Sequence, residues 1–293
     1  MNMRQQMVKS VEDVMNTDSS TITLLGDIGV WGFRNAKADH PERVYNIGIL
    51  EQATVSVAAG LAKTGMIPIV HTIAPFIVER PYEQLMIDFG YQQLGGNFIS
   101  VGASYDYSAL GFTHYCPADV NILAAIPNMQ IVLPGTAAEF DTLFKAGYNN
   151  GMPTYYRLSE RSNSIESKVE FGRANVIKKG DKGTVIAVGP MLDNVLKAVK
   201  DLDVTLLYYT TVTPFDYDTL LENCVSGKII ICEPYYSGAV SRELMNDGRF
   251  FGCSIANIGI EKQYISKYGS IEELDTYLGL DDTQIYGKIR KLI

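Results

Sequence analysis

The sequence predicts an α/β protein made of two successive α/β units, and three features predict it. Short apolar and β-branched runs alternate with helix-length stretches along nearly the whole chain. Those runs are apolar throughout rather than alternating, the pattern of parallel strands covered on both faces. A polar stretch over 166–182, running into Lys178-Lys179-Gly180-Asp181-Lys182-Gly183, separates the two series. The expected organisation is therefore a first three-layer unit over 1–165, a linker region over 166–182 holding a strand or two, and a second unit over 183–293. A length of 293 residues suits two domains, each able to bury its own core.

Met1 to Thr17 reads as an amphipathic helix with Met7, Val8, Val11, Val14 and Met15 on one side. Thr21 to Leu25 is a short strand ending at Gly26-Asp27, and Val44 to Ile47 a short extended run. The small-residue stretch after Glu51, through Ala62, is a close-packing helix. Ile67 to Thr72 reads as a strand, followed by a helix through Tyr82, Leu85, Met86 and Phe89. Asn97–Val101 and Gln130–Pro134 are further strands. Val120 to Ala125 and Ala137 to Asn149 are helical, and Thr154–Leu158 closes the first series. In the second, strands at Thr184–Val188, Val204–Tyr209, Lys228–Cys232 and Cys253–Ile260 alternate with helices at Met191–Leu202, Asp216–Cys224 and Gly238–Asp247, before a mostly helical tail.

Composition narrows the function. Hydrophobic residues make up 46% and charged residues 20%, an ordinary globular balance. The net charge is −8, and no Lys/Arg run offers a basic face for nucleic acid. The apolar stretch from Ile47 to Val70 is interrupted by Glu51, Gln52, Lys63 and Pro68, so no membrane span is expected. The N-terminal helix lacks a signal-peptide core and cleavage site, which points to the cytoplasm. Cys116, Cys224, Cys232 and Cys253 show no metal-ligand spacing, and His40, His71 and His114 are scattered. Reduced thiols and no metal site are the expectation.

Glu51 is the strongest chemical lead. An acid that enters a small-residue helix through an apolar approach must be neutralised, paired or used. On local pattern alone, a helix-start carboxylate stabilised by the macrodipole is the commoner explanation. Ligands in parallel sheets bind at the carboxyl edge, and three such edges here stand out. Gly26-Asp27-Ile28-Gly29 superficially resembles a Gly-Asp-Gly motif, but the Ile28 and the lack of a following Asn pair favour a strand-end turn. Thr72-Ile73-Ala74-Pro75-Phe76 offers either a core aromatic or a platform for a planar ring. The long loop from Gly102 to Asp119 carries His114, an acid/base candidate. Asp119 itself reads as a helix N-cap.

Taken together, Gly48-Ile49-Leu50-Glu51-Gln52, Thr72 to Phe76, Gly111-Phe112-Thr113-His114 and Ile126-Pro127-Asn128-Met129 resemble the pyrimidine-binding domain of transketolase. Thr213-Pro214-Phe215-Asp216 and Ile231-Cys232-Glu233-Pro234 resemble the transketolase C-terminal domain. The resemblance implies thiamine diphosphate chemistry and two-carbon ketol transfer. Glu51 matches the glutamate that contacts the aminopyrimidine, and a carboxyl in a poorly solvated site can share a proton with a ring nitrogen. Phe76 matches the stacking aromatic, with Ile49, Asp27 and Arg80 as further cofactor-contact candidates. His114 matches a histidine near the substrate carbonyl.

The same resemblance implies a partner. Transketolases begin with a diphosphate-binding domain carrying Gly-Asp-Gly and an asparagine for the metal, and these residues carry neither. The expectation is a split enzyme, an α2β2 heterotetramer whose other subunit holds the diphosphate and Mg2+ or Ca2+. Substrate positions depart from the family: Leu110 stands four residues before His114 where an aspartate is expected, and Trp31 replaces a serine. Arg161 is the remaining candidate for an anion. These departures imply a modified sugar (sulfo-, deoxy- or branched). Alternatives are the beta subunit of a 2-oxo acid dehydrogenase or decarboxylase, and a non-enzymatic scaffold.

Overall fold

The computed structural model describes residues 1–293. The first part runs α1 (Met3–Thr17), β1 (Thr21–Leu25), α2 (Arg34–Asp39), β2 (Val44–Asn46), α3 (Glu51–Lys63), β3 (Ile67–Ile73), α4 (Ala74–Val78), α5 (Tyr82–Gln84), β4 (Gly96–Val101), α6 (Asp119–Leu123), β5 (Gln130–Val132), α7 (Ala137–Gly147) and β6 (Pro153–Arg157). A π-helical segment, Leu85–Tyr91, continues α5. The second part runs β7 (Ala174–Lys178), β8 (Thr184–Val188), α8 (Leu192–Ala198), β9 (Thr205–Tyr209), β10 (Thr211–Thr213), α9 (Tyr217–Asn223), β11 (Lys228–Tyr236), α10 (Ala239–Asn246), β12 (Ser254–Ile260), α11 (Ile271–Leu278) and α12 (Asp282–Leu292).

The fold is α/β with two mostly parallel sheets. The first has the order β10-β5-β6-β4-β3-β1-β2, the second β12-β11-β8-β9-β7. Strands β1, β4, β6, β8 and β9 are buried along their whole length, and apolar residues dominate them, although β4 buries Asn97 and Ser100 and β6 buries Arg157. The segment over 166–182 contributes β7, an edge strand that pairs antiparallel with β9.

One element crosses between the sheets. β10 lies in the second part of the chain yet pairs antiparallel with β5, at the far edge of the first sheet. Apolar side chains on both sides follow the same rule. One core cluster joins Met7, Ile69 and Phe140 to Val185, Leu206 and Ile285; another joins Val70, Phe98 and Ile131 to Leu207, Ile229 and Tyr235. Two sheets thus share continuous cores, so the two units are fixed against each other by buried apolar area.

β1, β2, β3, β4 and β6 are mutually parallel through their ladders. Their following loops therefore gather at a single carboxyl edge. That edge receives the turn after β2 leading to Glu51, α4 after β3, and the long loop after β4.

Candidate active site

Glu51 is the first residue of α3, 5% exposed, and reached through a turn in which Gly48 adopts φ 84°. α3 packs against β3 through Thr54, Val55, Ala58 and Ala59, whose small side chains let the helix sit low on the sheet. The Glu51 carboxylate lines a narrow internal cavity with Gly26, Thr54, Val55, Val70, Thr72 and Ile77. Thr72 Oγ1 in that cavity is buried with no hydrogen-bond partner.

Phe76 sits on α4, which begins directly where β3 ends and has Pro75 in its first turn. His114 closes the 3-10 turn Phe112–His114, entered through Gly111 at φ 77°. The Phe76 and His114 rings meet edge to face with centroids 5.5 Å apart. The structure thus brings a buried acid, an aromatic face and an imidazole to one sheet edge from three loops. His114 Nδ1 lies 3.0 Å from Thr113 Oγ1.

Arg80, just past the end of α4, joins them. Its Nη1 donates to Glu51 Oε1 at 2.7 Å, and its guanidinium lies 3.8 Å from the Phe76 ring centroid. Glu79 beside it accepts from the Cys116 thiol at 3.7 Å. Burial raises the carboxyl of Glu79 and raises the Cys116 thiol further.

The other expected residues are placed differently. Asp27 adopts φ 68°, a conformation tolerated by Asp in turns, and exchanges hydrogen bonds with Asn46 at 3.0 and 3.3 Å. Together with Trp31, Arg34 and Lys37 it lines a cavity of about 670 Å³ at the ends of β1 and β2. Trp31 is 79% exposed, with Arg34 stacked 4.6 Å from its ring centroid. Ile49 and Leu110 are exposed at 66% and 53%. Arg161 is already engaged: both its terminal nitrogens donate to Asp275 on α11, and it stacks over Tyr105. In this conformation it braces the two units rather than offering a free fork to an anion.

Sequence reasoning missed a buried polar core behind the site. Arg157, 1% exposed, donates from Nε to Asp119 Oδ2 at 2.7 Å and from Nη2 to Ser104 Oγ at 2.7 Å. It also reaches the Pro234 carbonyl of the second unit and lies over the Tyr235 ring. Burial works against its charge, but Asp119 and Tyr155 outweigh burial and leave its pKa raised. The one charge in the apolar strand Thr154-Tyr155-Tyr156-Arg157-Leu158 was the available signal. Asp119 is therefore this arginine's partner and not an N-cap: Ala118 holds the cap position, without a side-chain bond. His71, fully buried, donates from Nδ1 to the Ile99 carbonyl, and burial lowers its pKa to about 4.

The fold and the edge of apposed Glu51, Phe76 and His114 define a chain of the transketolase family, to which it belongs. Residues 1–164 match the family described as "Transketolase, pyrimidine binding domain". The chain is 34% identical over 97% of its length, and 92% of the relative's, to an "Uncharacterized 33.6 kDa protein in fasciation locus" of Rhodococcoides fascians. It is 30% identical to the 1-deoxy-D-xylulose-5-phosphate synthase of Pseudoalteromonas translucida, spanning 87% of this chain but 42% of that enzyme. It is 28% identical to one subunit of the apulose-4-phosphate transketolase of Actinobacillus succinogenes, over 66% of this chain and 65% of the relative. Among solved structures, "Split gene transketolase, inactive beta4 tetramer" superposes with a TM-score of 0.86 at 23% identity, over 100% of this chain and 98% of that one. That likeness carries the fold.

Proposed function

We propose that this chain is the pyrimidine-side subunit of a split, thiamine diphosphate-dependent transketolase-like enzyme that moves a two-carbon ketol unit between sugars. The observation that supports it most is the Glu51 edge: a 5% exposed carboxylate joined through Arg80 to the Phe76 ring, with His114 against that ring at 5.5 Å. The site suits an aminopyrimidine. Glu51 accepts an in-plane N–H from Arg80 while the same planar cation stacks on Phe76, so the acid and the aromatic already hold a flat donor group. Thr72 Oγ1 adds an unpartnered polar atom in the cavity beside Glu51.

Bound thiamine diphosphate would supply the electron sink for carbon–carbon cleavage and transfer. This chain's residues would do the rest. Glu51 would take and return a proton at a ring nitrogen. Phe76 would fix the ring plane, and His114 would donate to the substrate oxygen that gains charge. Ile49, Asp27 and Arg80 border the same edge. The diphosphate and its Mg2+ or Ca2+ would be held by a partner subunit in an α2β2 assembly. The apulose-4-phosphate transketolase relative, itself named as one subunit of its enzyme, supports that reading. Trp31 and Leu110 at the family's sugar positions favour a modified sugar, with Arg161 serving an anion only if it leaves Asp275. The setting is cytoplasmic carbohydrate metabolism.

The test is reconstitution. Alone, the chain shows no ketol transfer and little thiamine diphosphate binding; with a diphosphate-domain subunit encoded beside it, activity appears and Glu51→Gln removes it. Full activity of the lone chain, or an active Glu51→Gln complex, overturns the proposal. A 2-oxo acid turned over by the complex instead of a ketose would favour a dehydrogenase-type beta subunit.

A further inference from the structure

We propose that Arg80 is a displaceable plug: in the isolated chain it fills the place a planar nitrogen ring would take, and a ligand reaches Glu51 only by expelling it. The inference rests on the reading above that Glu51 and Phe76 receive such a ring. Arg80 makes both of the contacts that ring would make. Its Nη1 donates to Glu51 Oε1 at 2.7 Å, and its guanidinium lies 3.8 Å from the Phe76 centroid. A guanidinium is flat, donates in its own plane and stacks on aromatic faces. An amino-substituted pyrimidine offers an in-plane N–H donor from its amino group, or from a ring nitrogen once protonated, and the same flat face, so the two compete for one position.

The pair is asymmetric. The Glu51 side chain is 6% exposed and that of Arg80 42%. Glu51 is the sole hydrogen-bond partner of the Arg80 side chain. Arg80 also stands beyond the last residue of α4, Val78, in the turn before Pro81. Swinging the side chain into water therefore needs only its own rotamers and leaves the helix intact. The plug has a physical use: without it, Glu51 would be a largely buried carboxylate without a charged partner. It also means that the site's intrinsic affinity is masked by the fraction of molecules in which Arg80 occupies it.

The experiment titrates the full lone chain with 4-aminopyrimidine, a ring without a diphosphate, followed by calorimetry and by ring-proton NMR. Arg80→Ala should bind it about tenfold or more tightly than the wild type, the size expected when an occupied site is freed. Arg80→Lys, which keeps the charge but not the plane, should fall between and guards against a misfolded alanine variant. Wild-type and Arg80→Ala chains with equal affinity, or neither binding, overturn the plug. Adding Glu51→Gln to Arg80→Ala should abolish the gain. If the gain persists, Arg80 still blocks the ring's position but Glu51 is not its acceptor, and the functional reading fails. If Arg80→Ala gives no gain while the reconstituted complex still depends on Glu51, the plug fails and the function stands.

Discussion

Two arginine–carboxylate pairs on the first sheet share the same 2.7 Å contact and have opposite surroundings. Arg157–Asp119 is sealed, with side chains 1% and 0% exposed, whereas Arg80–Glu51 is sealed at the acid and 42% exposed at the arginine. The first arginine is held from four sides, by Asp119, Ser104, the Pro234 carbonyl and the Tyr235 ring. The second has one polar partner and one ring. A charge held from every side cannot leave, so it fixes structure. A charge held from one side can be exchanged for a ligand. The same bond thus serves to lock the two units in one place and to keep a site occupied in the other.

Replacing Glu51 gives the largest expected effect on function. Glu51→Gln should lower the activity of the reconstituted complex by about 10²–10⁴-fold, the contribution typical of a positioned proton-transfer group. Its unfolding midpoint should barely move, because the arginine left behind can turn to water. Paired measurement of turnover and urea denaturation checks both halves of the claim. A variant that unfolds easily would show that the two pairs do not differ in kind.

The converse change is structural. Asp119→Ala leaves Arg157 charged, buried and short of its main partner, and should cost about 3–5 kcal/mol, the usual penalty for breaking one side of a buried pair. Urea denaturation measures it. A loss comparable to that of Arg80→Ala would erase the distinction between the sealed and the open pair.

These two regions also differ in how far the sequence disclosed them. Glu51, Phe76 and His114 stood out in the sequence through the transketolase resemblance rather than through local pattern, and what parallel strands add is that loops following them gather at one edge. Most of the order of strands and helices was legible because the buried strands are dominated by apolar and β-branched residues. The Arg80–Glu51 contact, between residues 29 apart, was not, because nothing local distinguishes an arginine that folds back from one that faces water. Nor was the brace from Arg161 to Asp275, separated by 114 residues. β10 went unseen since its Thr211–Thr213 segment has no apolar run of its own and owes its strand to β5 in the other sheet.

A third buried acid sharpens the comparison, because it lacks an arginine altogether. Glu233 is 0% exposed and accepts from the Gly238 amide, with Oε2 left unpartnered. Burial pushes its carboxyl up to about 8, from an ordinary value of 4.5. A raised folded-state value means that its contribution is present below about 4.5 and lost as pH rises towards about 8, as the unfolded chain releases the proton first. Glu233→Gln should remove that slope and raise stability at pH 8 relative to pH 5 by a few kcal/mol. Denaturation at the two pH values reads it directly. An unchanged slope would mean that it arises from other groups and not from Glu233.

The smallest effect is expected at Leu110, on the open side of the molecule. This residue is 53% exposed, four positions before His114, in the loop that carries the imidazole to the Phe76 ring. No buried partner constrains it, so Leu110→Asp should leave stability within about 0.5 kcal/mol of the wild type. Its effect should fall on selectivity. A carboxylate at this place can accept from sugar hydroxyls that an isobutyl group cannot pair, and a site that leaves a hydroxyl unpaired discriminates against it. The Leu110→Asp complex should therefore gain on xylulose and ribose phosphates by about tenfold in kcat/KM, one well-placed hydrogen bond's worth. The gain should appear with Glu51 intact and vanish with Glu51→Gln. An increase for every sugar alike would place Leu110 in general access to the edge; an increase for xylulose and ribose phosphates that is absent for their deoxy analogues makes it the residue that narrows the substrate.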